Sequence, residues 1–298
     1  MAGYYPLPKD TVAVLRRGTV SNLGLLLERF VEVDSNGKVT EEAKKYSGVP
    51  LDYFAKGEGA GLLQAIYQRQ LVMLKAAGAE AHTAGPQVRC IVGLGVKGAR
   101  EVGIRLHHLY GCPIIPGSAL KGLARARALT AIFDTAARDQ IRPRKEGQGK
   151  LARLAEEIEE YAYKADQPHY LDRQRAEVEP FRHLFGTQGN AGQAIFYDAL
   201  PVSLSLELDI MNPHYPDYYN NKGQGNHPPA DYDSPTPVNF LTVGKASRFL
   251  FGVAARNGDA AVAKQAWDFL QRGLEQMGIG AKTTSGYGVF TNFQQVQP

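Results

Sequence analysis

The hydrophobic period of this 298-residue chain switches from helical to alternating near residue 87, and that switch limits its architecture more than any single motif. Before it, residues 60–77 carry Leu62, Leu63, Ile66, Leu71 and Leu74 at roughly helical spacing, and Asn22 can cap a helix over 23–33. After it, residues 87–92 predict a strand. Val102, Ile104 and Leu106 alternate with Gly103, Arg105 and His107 and predict a second. A helix follows from Ser118, with Leu120, Leu123, Ala124 and Ala128 on one side. Residues 131–180 read as a helical insertion, because Leu151, Leu154, Ala155 and Ile158 fall at i, i+3, i+4 and i+7.

Residues 194–200 and 203–210 alternate again, and 238–253 return to strand composition. Asp259 can cap a helix carrying Val262, Ala266, Phe269, Leu270 and Leu274. A glycine-rich stretch from Gly278 to Gly288 then leads into Val289 and Phe290. The order from residue 87 is strand, strand, helix, insertion, strands, helix, glycine loop, strand. That predicts an α+β fold with a single interrupted ferredoxin-like core spanning 87–298, behind a helical N-terminal extension over 1–86 that packs on it. Within that core, residues 212–237 form a long loop with six prolines and four tyrosines, a composition suited to function or disorder rather than packing.

Apolar residues make up 44% of the chain and charged residues 21%, which excludes a disordered or collagenous chain. No run of 18 apolar residues occurs, and the first 30 lack the layout of a signal peptide. The two cysteines, Cys90 and Cys112, form no C-x-x-C pair, which suits a reducing compartment and argues against a cysteine metal site. A cytoplasmic protein with no membrane partner is the expectation. The net charge of +4 hides a division: residues 87–150 hold 12 basic and 4 acidic side chains, and residues 151–210 hold 5 and 11. Either a polyanion is drawn to the first block, or the two blocks are solvated faces that partly neutralise each other after folding.

Several motifs fail on context. Gly93 to Gly98 spells G-x-G-x-x-G, yet a strand pattern follows where a dinucleotide site needs a helix. Gly280-Ala281-Lys282-Thr283 lacks the G-K-[ST] of a phosphate loop. His107 and His108 are neighbours on an expected strand, so they face opposite ways and cannot share a metal. Each reads either as a half-buried strand histidine or as a ligand-facing one. Asp209, Asn212, His214 and Asp217 offer hard-metal ligands, but the same residues suit a turn. No catalytic residue, metal site or cofactor is expected.

Two elements hold. In Ile115-Pro116-Gly117-Ser118-Ala119-Leu120-Lys121-Gly122, Ser118 is a candidate N-cap, and the backbone amides at Gly117 and Ser118 can receive an anion. Lys121 near that end, with Arg125 four residues on, makes a cationic stripe. In the terminal loop, Gly280 lets the backbone approach a ligand closely. Lys282, Thr283, Thr284 and Ser285 supply phosphate donors, and Tyr287 can stack on a base. Against this, a tight connection also needs glycines, and a surface helix tolerates a lysine.

Gly117-Ser-Ala-Leu-Lys-Gly, with Arg125 behind it and the terminal Gly-Ile-Gly-Ala-Lys-Thr-Thr-Ser-Gly-Tyr-Gly, resembles the RAMP superfamily of CRISPR-associated RNA-binding proteins. Leu109-Tyr-Gly-Cys-Pro, Asp209-Ile-Met-Asn-Pro-His-Tyr-Pro-Asp-Tyr-Tyr and Pro237-Val-Asn-Phe-Leu-Thr-Val narrow the resemblance to the sixth-subunit family of type III-B Cmr effector complexes. The resemblance implies a core like the RNA-recognition motif and a non-catalytic role at the end of the complex near the 3′ part of the guide RNA. Its implied partners are guide RNA, target RNA, the repeated backbone subunit and the first subunit, with cutting assigned to the backbone subunit. An RAMP endoribonuclease with His107 or His108 as general base is the alternative.

Overall fold

A computed structural model describes residues 3–17, 20, 22–95, 98–100, 102–135, 175–187, 189–212 and 237–297. The insertion and the proline–tyrosine loop therefore lie largely outside the described residues. Helices α1 (Lys9–Arg17), α2 (Leu23–Glu28), α3 (Glu41–Lys44) and α4 (Gly57–Ala76) come first. Asn22 caps α2 as its position predicts, its Oδ1 accepting from the amides of Gly24 and Leu25.

The chain then alternates between sheet and helix. Strand β1 (Glu80–Pro86) is followed by the short β2 (Arg89–Cys90), then α5 (Gly117–Thr135) and α6 (Arg175–Phe185). Strands β3 (Ala194–Phe196), β4 (Leu200–Ser203), β5 (Leu206–Met211), β6 (Val238–Gly244) and β7 (Arg248–Ala255) follow. Helix α7 (Ala260–Gln276) and β8 (Phe290–Gln295) complete the order.

These strands make two antiparallel sheets. The larger runs β3-β7-β1-β8, with β4 also pairing on β7; the smaller runs β2-β6-β5. Both faces of the larger sheet are covered. Phe249, Phe251 and Val253 of β7 share a core with Trp267 and Leu270 of α7 and Leu120 and Ala124 of α5. The intervening Leu250 turns the other way, onto Leu74 of α4 and Ala81. A β-carbon at Gly252 would run into the Leu74 side chain, so glycine lets α4 seat there. Gly273 does the same between α7 and Leu123 of α5. The result is an α+β fold. No helix among the described residues is long and apolar enough to cross a membrane.

Two strand assignments change. Residues 80–86 form the central strand of the larger sheet, although Glu-Ala-His-Thr-Ala-Gly-Pro has weak strand propensity. Pairing on both edges, to β7 and β8, supplies what propensity lacks. Residues 102–106 are not a strand: Leu106 makes an isolated bridge to Pro113, and the alternation reflects burial of Val102 and Ile104 under irregular backbone.

Candidate nucleic-acid interface

The start of α5 is built by contacts from far along the chain. Ile115 exchanges backbone hydrogen bonds with Ala199, and the Pro116 carbonyl accepts from the amides of Ala119 and Leu120. The Gly117 amide donates to Asp198 Oδ1 at 2.7 Å. A β-carbon on Gly117 would strike the Phe196 carbonyl, so only glycine fits.

This corrects two expectations. Ser118 is an exposed residue inside the helix rather than its cap, because the helix begins one residue earlier. The Gly117 amide is not open to an outside anion, since the Asp198 carboxylate already occupies that positive end. Lys121 is half-buried in the second turn. Arg125, one turn on, places its guanidinium 5.4 Å from the Phe181 ring centroid on α6.

The terminal loop is held even more tightly. Ile279 donates to the Gly288 carbonyl, Ala281 to Ile91, and Gly288 to Arg89. Gly280 has φ +96, and a β-carbon there would collide with the Ile91 carbonyl. Lys282 itself is left-handed at φ 59, opening a short 3-10 turn over Thr283–Ser285. Its ammonium lies 5.4 Å from the Phe240 ring centroid. Thr284, Ser285 and Gly286 are exposed at the tip. Many loop amides are thus spent inside the protein, and the outward chemistry is that of Lys282 and the two hydroxyls.

Tyr287 does not stand free as a stacking platform. Its hydroxyl donates to Asp209 Oδ2, which also accepts from Arg89 Nη1 at 2.9 Å, while Arg89 Nε donates to Glu207 at 3.0 Å. Its half-buried ring packs beside the Ile91–Val102–Phe240 cluster. Burial, then the Asp209 carboxylate, raises the Tyr287 pKa. Burial opposes the Asp209 charge, but hydrogen bonds from Tyr287 and Ile210 and the nearby Arg89 together hold its pKa below the usual value.

Asp209, whose sequence context suits a turn or a metal set, instead sits in β5 and anchors the loop. His214 and Asp217 lie outside the described residues. Among the described residues, no group of three metal-ligating side chains occurs. Arg89 and Glu207 carried no sequence signal beyond their charge.

A lowered carboxylate pKa contributes stability that is present above the unfolded value near 4 and lost as pH falls through the folded one. Asp209→Asn is therefore expected to cost about 1–2 kcal/mol at pH 7, the scale of charged hydrogen bonds on a partly exposed group. Urea melts should show that difference shrinking as pH drops below about 4. An undiminished difference in acid would exclude this account.

The histidine pair lies in a turn, not on a strand. His107 Nδ1 accepts from the amides of Leu109 (3.2 Å) and Tyr110 (3.4 Å), and its ring stacks on Tyr110 at 4.2 Å. Burial above all lowers its pKa, against an opposing pull from Asp198 and with smaller contributions from its neighbours His108 and Arg69. The neutral ring therefore keeps its proton on Nε2 and its lone pair on the backbone. His108 is exposed, and its carbonyl accepts from Asn22 Nδ2, as does that of Leu109. Asn22 thus caps α2 and clamps the turn at Leu109 to Gly111, where Gly111 (φ +64) leaves no room for a side chain.

Of the predicted RNA-binding residues, Gly280, Lys282, Thr283, Thr284, Ser285 and Tyr287 share one loop, and Gly117, Ser118, Lys121 and Arg125 share one helix start. No described hydrogen bond or ion pair joins Lys121 to that loop.

Residues 78–291 match the family described as RAMPs, the RAMP superfamily. Over 228 residues the chain is 34% identical to the CRISPR system Cmr subunit Cmr6 of Pyrococcus furiosus, an alignment covering 68% of this chain and 64% of that relative. The chain therefore spans under two thirds of that relative's length. The crystal structure of Cmr6 from Pyrococcus furiosus shows 30% identity, covers 72% of this chain and 97% of its own, and gives a TM-score of 0.46. A chain of the type III-B Cmr-beta complex bound to cognate target RNA, solved by cryo-electron microscopy, is 18% identical, with 89% and 79% coverage and a TM-score of 0.53. That last likeness is one of fold.

Proposed function

The chain belongs to the RAMP superfamily, and from that premise we propose that it is an RNA-binding, non-catalytic subunit of a type III-B CRISPR Cmr complex. The observation that carries the reading is the 34% identity to Cmr6. In this role the chain caps the end of the complex near the 3′ part of the guide RNA. Its partners are guide RNA, target RNA, the repeated backbone subunit and the first subunit, and it acts in the cytoplasm.

The strand order supports a ferredoxin-like core. With α5 and α6 between β1 and β3, and α7 between β7 and β8, the sheet order β3-β7-β1-β8 is that of a β-α-β-β-α-β unit. The small β2-β6-β5 sheet extends it. We read residues 1–86 as the extension packed on this core, with β1 lent to the sheet, and 131–180 and 212–237 as its insertion and long loop.

RNA is held at two places in this reading: Lys121 and Arg125 on α5, and Lys282 with Thr283, Thr284 and Ser285 on the loop. Phosphate contacts by charge need no acid–base partner. Gly117, Gly280 and Tyr287 act by shaping these places. Ser118 offers an exposed hydroxyl beside Lys121.

The alternative nuclease gains one observation, the electrostatic pull of Asp198 on His107, and loses more to another. A general base needs an open lone pair, and the His107 Nδ1 is engaged by two backbone amides. Purified chain incubated with CRISPR repeat RNA in EDTA is expected to leave the RNA intact. Cleavage abolished by His107→Ala or His108→Ala would overturn the non-catalytic reading.

A further inference from the structure

Between α2 and residues 98, 100 and 102–108, two neighbouring cavities share Glu28, Ile104 and Leu106 as walls. The inner one measures about 20 Å³ and the outer about 280 Å³. Arg100 lines the inner cavity and is only 7% exposed. Its guanidinium lies 4.8 Å from the Tyr46 ring centroid, and Nη2 donates to the Leu26 carbonyl at 3.4 Å. Nε and Nη1 have no partner. Among the described residues no ion pair ties Arg100 to a carboxylate.

A guanidinium in this state has lost water without gaining a counter-charge, which disfavours the folded chain alone. The cavity that Arg100 lines fits one water-sized group, such as a bound water or an oxygen of an anion. The outer pocket adds complementary chemistry. Arg29 and Arg105 line it, both exposed, and His107 lines it with its lone pair turned to the backbone. Leu25, Ile104 and Leu106 supply an apolar wall. Among the described residues, Glu28 is the one carboxylate lining it.

Cationic donors beside an apolar wall suit a ligand with a phosphate at one end and a flat ring at the other, and the volume lies near the lower end for small-molecule sites. We propose that this pocket binds a nucleotide through its phosphate. Arg29 and Arg105 take the phosphate, Arg100 adds charge from behind the shared wall, and the base lies on the leucine–isoleucine surface. The site is separate from Lys121 and Lys282 and stands on its own observations. The nucleotide is either free or the phosphorylated end of an RNA strand.

Calorimetric titration of the full chain with adenosine and uridine 5′-monophosphates tests this. Saturable binding is expected, weakened at least tenfold by Arg29→Ala with Arg105→Ala and unchanged by Lys264→Ala, a lysine exposed on α7 and paired with Asp268. Arg100→Met should weaken binding while leaving the melting temperature unchanged or higher, because an apolar side chain of similar length removes an uncompensated buried charge. If that variant fails to fold, the two exposed arginines decide. Displacement by a 5′-phosphorylated trinucleotide supports an RNA end as the ligand, and binding without displacement supports a free nucleotide. No saturable binding of either probe at millimolar concentration, or affinity untouched by the Arg29 and Arg105 changes, overturns the proposal.

Discussion

Gly280→Ala is expected to lower stability by about 2–4 kcal/mol, combining the strain of a side chain at positive φ with overpacking against fixed backbone. The collision is with the Ile91 carbonyl, which already accepts the Ala281 amide at 2.8 Å and cannot move without breaking that bond. Ile91 is itself fully buried and adjoins β2, so the disturbance spreads into the smaller sheet. Gly286→Ala is the matched control. Gly286 has φ +85 but nothing within 4 Å of an added β-carbon, so it should lose only the backbone share, about 1–2 kcal/mol. Urea denaturation separates the two. Equal losses would mean that the close approach to Ile91 does not hold the loop. The Gly280 variant should also bind guide RNA more weakly, since Lys282 sits two residues along the displaced segment.

Lys121→Ala combined with Lys282→Ala is expected to weaken guide-RNA binding by about 10- to 100-fold, the scale of two lost solvent-screened contacts of about 0.7–1.4 kcal/mol each. The salt dependence is the sharper readout. Each phosphate contact on single-stranded RNA contributes about 0.7 to the slope of log affinity against log salt, so the double variant should flatten it by about 1.4. Lys264→Ala is the control: that lysine is exposed on α7 and paired with Asp268, and its loss should change neither quantity. Filter binding across a salt series makes the comparison. An unchanged slope would show that neither lysine meets phosphate, and would remove the RNA grip assigned to these elements.

What was legible in the sequence was what neighbouring residues decide among themselves. Helix α7 follows from Asp259, whose side chain accepts from Ala261, and from apolar residues spaced to bury Val262, Ala266, Leu270 and Leu274 together. Asn22 as a cap was equally readable. The terminal loop announced itself because Gly278, Gly280, Gly286 and Gly288 all take positive φ, a local requirement that leaves a local signature. By contrast, β1 carries almost no strand pattern, and its place at the centre of a sheet comes from partners more than 150 residues later in the chain.

The candidate site divides the same way. Its glycines, lysines and hydroxyls could be picked out as residue types in order along the chain. Their working geometry could not. Asp198 reaches the Gly117 amide across 81 residues, and Arg89 meets Glu207 and Asp209 across 118 and 120. Tyr287 joins that network from 78 residues beyond Asp209, and loses the free ring the sequence suggested. Sequence alone determined which segments could be helix, strand or tight loop, because torsional preference and hydrophobic period act over a few residues. Only the tertiary structure decided which amide was occupied, which tyrosine was anchored and which arginine was buried unpaired. Those outcomes depend on strand register and on burial, and both arise from contacts between segments distant in the chain.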